Sequence, residues 1–251
     1  MRSATLQVFA VVCFVQAISA ASVGKLPPSF DICHTSKPDF TKCLGAAVEE
    51  AVHTLKDGYP PLGLYPIDPL DITALNIDQG SGPVSIDLKF KDLKIYGFKD
   101  AKISDVKADV PNFRFSAKVT VPEVSLKGKY NINGKVLILP ITGNGDCVLT
   151  MDDVAAQVEL LGKERKKDGR LYMNVQKFDF KFDLKKFKLK FENLFNGDKA
   201  LGENMNQFIN ENWNEILLEL KPSIQEAFGA VFAEISNRIF SKVPYNDIFP
   251  E

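Results

Sequence analysis

Histidine, tryptophan and cysteine are all scarce in this chain, at two, one and four residues among 251. His34 and His53 are the only imidazoles, and neither stands at zinc-ligand spacing from a cysteine, so no metal site is expected. There is no Gly-x-Ser-x-Gly elbow, no His-Glu-x-x-His helix and no phosphate-gripping glycine loop, and no cofactor is expected. A serine hydrolase built on His53 is the one catalytic reading left open; the chain is read as a non-enzyme. Neither charge is in excess, with 31 basic against 32 acidic residues, which removes the electrostatic case for a nucleic-acid partner. Glycosylation sequons are missing too. Beyond residue 20 no stretch is long and apolar enough to cross a bilayer, so stable membrane insertion is not expected.

What is present begins with an export signal. Met1-Arg2 is a short basic start, residues 6–18 are apolar except for Gln7 and Gln16, and Ser19, Ala20 and Ala21 are small. That pattern is a secretory signal peptide over residues 1–20, leaving residues 21–251 as one extracellular domain. In an oxidising compartment Cys33 and Cys43 can close a small loop, which the chain-entropy model values at about 3 kcal/mol. Cys13 leaves with the signal. Cys147 is then a buried, inert thiol or an intermolecular bridge; the first is favoured, and a monomer is expected. Phenylalanine is abundant, 19 against six tyrosines, which suits a large core or an apolar cavity.

Three periodicities follow one another. Leu44, Ala47, Val48, Ala51, Val52 and Leu55 mark a short helix over residues 42–56, stopped by Asp57-Gly58 and a proline-rich connector at residues 59–69. From residue 72 to 191 the period is two. Val84, Ile86, Leu88 and Phe90 form one apolar row, and Phe113, Phe115, Ala117, Val119 and Val121 another. Val154 to Leu160 and Leu171 to Val175 flank a sharp turn at Asp168-Gly169. The row Phe178, Phe180, Phe182, Leu184 changes parity before Phe187, Leu189 and Phe191, which predicts a bulge at Lys185-Lys186; a like slip falls at Lys91-Asp92. The lysines at 181, 185, 186, 188 and 190 read as the wet face of the sheet. From residue 204 to 240 apolar residues recur at three- and four-residue steps, which predicts a helix roughly 55 Å long with a kink or break at Pro222. A helix that long, with a broad apolar stripe, is most simply wrapped by the sheet. The expected fold is α+β, one C-terminal helix embraced by a long, curved antiparallel sheet.

Four segments then resemble one family in order: Cys33-x9-Cys43 before the first helix, the connector from Tyr59 to Leu70, Asn210-Glu-Asn-Trp213 followed by Leu220-Lys-Pro222, and the tail from Val243 to Pro250. Together they are similar to the insect takeout proteins and haemolymph juvenile-hormone-binding proteins. Without a second disulfide the chain resembles the takeout branch. The resemblance implies a tubular lipid-binding fold and an internal tunnel for a juvenile-hormone-like terpenoid or a fatty-acid-like chain. It also implies a circadian, feeding or behavioural output role.

The candidate tunnel wall is Phe113, Phe115, Phe178, Phe180 and Phe182 on the sheet, facing Phe208, Leu217, Leu220, Phe228 and Phe232 on the helix. Periodicity reads the same for a filled core and for a tunnel lining, and both remain open here. Trp213 is read as a packing anchor ahead of a tunnel gate, and the basic residues at 163–170 as a solvated hairpin tip ahead of a membrane contact. Two functions are weighed: a carrier of a small hydrophobic ligand, and a secreted interaction protein that binds a cell-surface receptor with its cavity out of use.

Overall fold

The computed structural model describes residues 24–251, so the expected signal peptide lies outside the described residues. Helix α1 (Phe40–Thr54) is followed by the strands β1 (Leu70–Gln79), β2 (Val84–Tyr96), β3 (Lys102–Asp109), β4 (Arg114–Val136), β5 (Leu139–Lys167), β6 (Arg170–Asp183) and β7 (Lys186–Phe191). Helices α2 (Lys199–Glu211), α3 (Trp213–Phe240) and the short α4 (Tyr245–Ile248) complete the chain. All seven strands belong to one antiparallel sheet of order β1-β2-β4-β5-β6, with β3 on β4 and β7 on β5. Cys33 and Cys43 are joined.

Alternation of apolar and polar residues gives each strand one buried and one wet face. β4 and β5, at 23 and 29 residues, are far longer than ordinary strands and must bend. The bends are local and their causes can be named. β2 carries a bulge between Lys91 and Lys94, where the sequence predicts a slip, and β3 carries one between Ser104 and Lys107. Asp92 and Asp105 occupy those bulges with φ of 49° and 52°. Aspartate is among the few residues with a side chain that enters this left-handed region readily.

At Lys185 the outcome differs from a simple bulge. The strand breaks after Asp183 and resumes at Lys186, yet Asp183 pairs Ala155 and Lys186 pairs Asp152 in unchanged register. β5 explains this: its buried row passes from Leu149 to Val154, with Asp153 at φ 53° between them. β4 makes the same change between Val121 and Val124. Three neighbouring strands therefore shift parity together, and a crease crosses the sheet. The hairpin at Asp168-Gly169 forms as expected, with both residues at positive φ.

The curled sheet closes on α3, although the helical region is two helices rather than one. The interruption falls at Asn212, whose side-chain amide donates to the Phe208 carbonyl at 2.8 Å, while α3 runs through Pro222. At 28 residues α3 is about 42 Å long. Side chains of α3 reach both edges of the sheet. Ser223 Oγ donates to the Asp78 carbonyl of β1 (3.0 Å), and Asn237 takes the Val175 N–H of β6 (2.8 Å) and returns a bond to its carbonyl (3.1 Å). Asn210 and Asn206 of α2 repeat that double bond on β7. The Leu189 N–H donates to Asn210 Oδ1 (2.9 Å) and Asn210 Nδ2 to the Leu189 carbonyl (2.7 Å); Asn206 does the same with Phe191, at 2.9 Å both ways. A primary amide presents one acceptor and two donors, so it stands in for the missing neighbouring strand.

Candidate functional site

Between sheet and helix lies a cavity of about 520 Å³. Its floor is the inward row of the sheet, including Phe115, Val119, Val121, Ala156, Phe178, Phe180 and Phe182. Its roof is α3, through Ile224, Phe228, Phe232 and Ile235. α1 closes one side with Leu44, Ala47, Val48, Ala51 and Val52, Leu55 follows just after it, and the tail adds Ile248 and Phe249. Among the described residues, Asp31, Ser116 and Ser236 are the only ones with polar side chains in that lining, and the Ser236 hydroxyl is committed to the Phe232 carbonyl at 2.7 Å. The walls are hydrocarbon almost throughout.

The predicted aromatic wall is brought together in part. Phe178, Phe180, Phe182, Phe228 and Phe232 form one cluster: Phe180 stacks on Phe182 at 5.4 Å and meets Phe232 edge-on at 5.2 Å, with Phe178 5.5 Å from Phe232. Phe115 stacks on Phe249 at 5.0 Å, farther along the same cavity. Leu217 and Leu220 border a second chamber of about 100 Å³. Phe113 and Phe208 line neither. Phe113 is in a turn rather than a strand, at φ 54°, with its ring 4.8 Å from that of Tyr245, and Phe208 packs into the main core. Trp213 begins α3 and meets Phe187 edge-on at 6.4 Å, as a packing anchor would.

Residues missed by sequence reasoning come from α1, from Phe98 and Met151, and from the tail. The signal for α1 was legible, since its lining residues are the apolar positions that define the helix. No period marks Phe249. Glu49 ties α1 down from its outer side: it accepts the Ile103 N–H and a bond from Lys102, both at 2.9 Å. Those bonds, the backbone one foremost, hold its carboxyl below the usual range.

Neither His34 nor His53 is among the residues that line the cavity. Among the described residues no group of acidic, histidine and cysteine side chains could hold a metal ion. Cys147 is buried at 2 % exposure, with its thiol 3.4 Å from the Gly128 carbonyl, and burial pushes its pKa up to about 11. A thiol so placed is shielded and almost wholly protonated at neutral pH. We therefore expect a water-soluble disulfide reagent at pH 8 to leave Cys147 unmodified in the folded protein and to label it on unfolding; rapid labelling of the native state would contradict this placement.

A curled antiparallel sheet wrapped on a long helix, with an apolar chamber between them, defines the tubular lipid-binding class of α+β protein. Within that class the chain belongs to the haemolymph juvenile hormone binding protein family, whose model matches residues 8–250. The structure superposes on takeout 1 of Epiphyas postvittana with a TM-score of 0.74 and 27 % identity, covering 88 % of this chain and 99 % of that one. The circadian clock-controlled protein daywake of Drosophila melanogaster is 27 % identical over 215 residues, which are 82 % of this chain and 83 % of the relative. A putative beta-carotene-binding protein of Schistocerca gregaria is 21 % identical over 219 residues, 86 % of each chain. The family is one of hydrophobic-ligand binders rather than enzymes.

Proposed function

We propose that this protein is a secreted carrier that encloses one small hydrophobic ligand, a juvenile-hormone-like terpenoid or a fatty-acid-like lipid, in the chamber under α3. Residues 1–20 act as the signal peptide and residues 21–251 as a single carrier domain in haemolymph or another extracellular fluid. The observation that carries this reading is the cavity. At about 520 Å³ it falls in the range of small-molecule sites, roughly 300–1,000 Å³, and its walls leave hydrocarbon burial as the main source of affinity. The exposed Asp31 is the polar side chain in the lining placed to orient a ligand head. The lining candidates are Phe115, Phe178, Phe180, Phe182, Phe228 and Phe232, with Leu217 and Leu220 bordering the smaller chamber. A circadian, feeding or behavioural output role is the part of the proposal that rests on the relatives.

Organic extraction of the purified protein, with native mass spectrometry before and after, tests the proposal. An apolar molecule should be released. Returning a terpenoid or fatty acid at about a hundredfold over its dissociation constant should then add about 2.7 kcal/mol of stability by mass action. For a chain of this size that is a rise in Tm of roughly 5–10 °C. A protein that is empty and unmoved by either ligand class would overturn the carrier reading and favour a receptor-binding surface.

A further inference from the structure

The two chambers meet. Leu126, Met151, Phe182, Ile224 and Phe228 border both, so these five side chains are a partition between them. Three come from neighbouring strands of the sheet and two from successive turns of α3, so the partition spans the space from floor to roof. It stands where the crease crosses the sheet: Met151 is the last inward residue of β5 before the parity change, pairing with Val124 on one side and Phe187 on the other.

The partition is uneven in stiffness. Phe182 is fixed, stacked on Phe180 and with the Lys221 ammonium 5.6 Å from its ring centre; Lys221 is itself paired with Asp183. Phe228 is only half-buried, with its ring 6.1 Å from Phe232 and 6.3 Å from Phe180. Met151 is unbranched and takes several shapes at little expense.

Size decides what the second chamber is for. About 100 Å³ is well below the range of independent ligand sites, so it holds no ligand of its own. Its lining is aliphatic and aromatic throughout, without a polar side chain, and would accept only the end of a hydrocarbon chain.

We infer that the chambers are two lengths of one interrupted tunnel, in which Phe228 and Met151 form a gate that sets the longest ligand admitted and the second chamber receives the tail of an unbranched apolar chain that passes it. This rests on the carrier reading. A ligand that fits the main chamber binds with the gate shut. A longer one must turn Phe228 and Met151 aside, and gains from each further methylene only once it has done so.

The test is a set of dissociation constants for saturated fatty acids from decanoic to lignoceric acid, measured on delipidated wild type, Phe228→Ala and Met151→Ala. In wild type, affinity should climb by about fourfold per methylene buried and then level off where the chain meets the gate. In both variants the plateau should move to longer acids, with lignoceric acid gaining tenfold or more relative to decanoic acid. Phe228→Trp, which enlarges the gate without opening a void, should move the plateau to shorter acids and serves if the alanine variants fail to fold. A plateau at the same length in wild type and in every folded variant would overturn the gate while leaving the carrier reading intact. Wild type that binds no acid of any length would overturn the gate, and the carrier reading falls with it only if terpenoids also fail to bind.

Discussion

Asn210→Asp should lower Tm by on the order of 10 °C, a large effect for one atom exchanged on a half-buried side chain. The amide nitrogen of Asn210 donates to two carbonyls, that of Leu189 in β7 at 2.7 Å and that of Asn206 in its own helix at 2.7 Å. A carboxylate oxygen in its place faces both as a third acceptor. The part-buried Leu189 carbonyl loses its donor, at about 1–3 kcal/mol, the Asn206 carbonyl keeps only its helical N–H, and repulsion from the carboxylate adds to the cost. Asn210→Ala removes the repulsion and admits water, so it should fall less. The ordering of the three proteins by thermal unfolding is the check; an unchanged Tm in Asn210→Asp would show that α2 does not depend on the clamp to hold β7.

Gly229→Ala should destabilise the protein and weaken ligand binding together. Helix propensity alone argues the reverse, since alanine is better than glycine inside a helix by about 1 kcal/mol. Position decides against it. A methyl group at Gly229 would come within 2.5 Å of the Phe178 carbonyl oxygen, which is backbone and has no rotamer to escape into. Either α3 or β6 must move. Overpacking of this kind costs about 1–3 kcal/mol, enough to outweigh the propensity gain at the upper end and to drop Tm by several degrees. Because Phe228 precedes Gly229 and Phe178 lines the chamber, the same shift would misalign roof and floor. Equal or higher Tm in Gly229→Ala with unaltered ligand affinity would mean the helix stands farther from the sheet than the structure places it.

Much of this architecture is legible in the sequence because it is periodic. The change from period two to period 3.6 gives sheet and helix, and the parity slips at Lys91-Asp92 and Lys185-Lys186 mark real bends. The helix break was misplaced for a physical reason. Pro222 carries the strong sequence signal, yet the carbonyl it leaves without a donor belongs to Leu218, a residue 67 % exposed on the solvent side where water can serve it. Asn212 carries no such signal, and its break is secured by its own side chain. The site was legible where the wall is a strand row, as at Phe178, Phe180 and Phe182. Phe113 shares that period but falls in a turn, and Phe208 shares the helical period but faces packed core. Phe249 is brought to the chamber by long-range packing that no local pattern announces.

Both ends of the described chain are fastened to each other. The Thr35 N–H donates to the Pro250 carbonyl at 2.8 Å, His34 Nδ1 lies 2.8 Å from the Glu251 carbonyl, and Phe40 meets Phe249 edge-on. During synthesis this sets an order of events. β1 to β7 leave the ribosome with their apolar row uncovered, and α1 has neither roof nor tail to close against. The chamber becomes a chamber only after residues 224–249 have been made, so folding must wait for contacts more than 200 residues apart in sequence. Until then the longest strands of the protein present bare hydrocarbon, and the nascent chain is prone to aggregate until residues 224–249 have emerged.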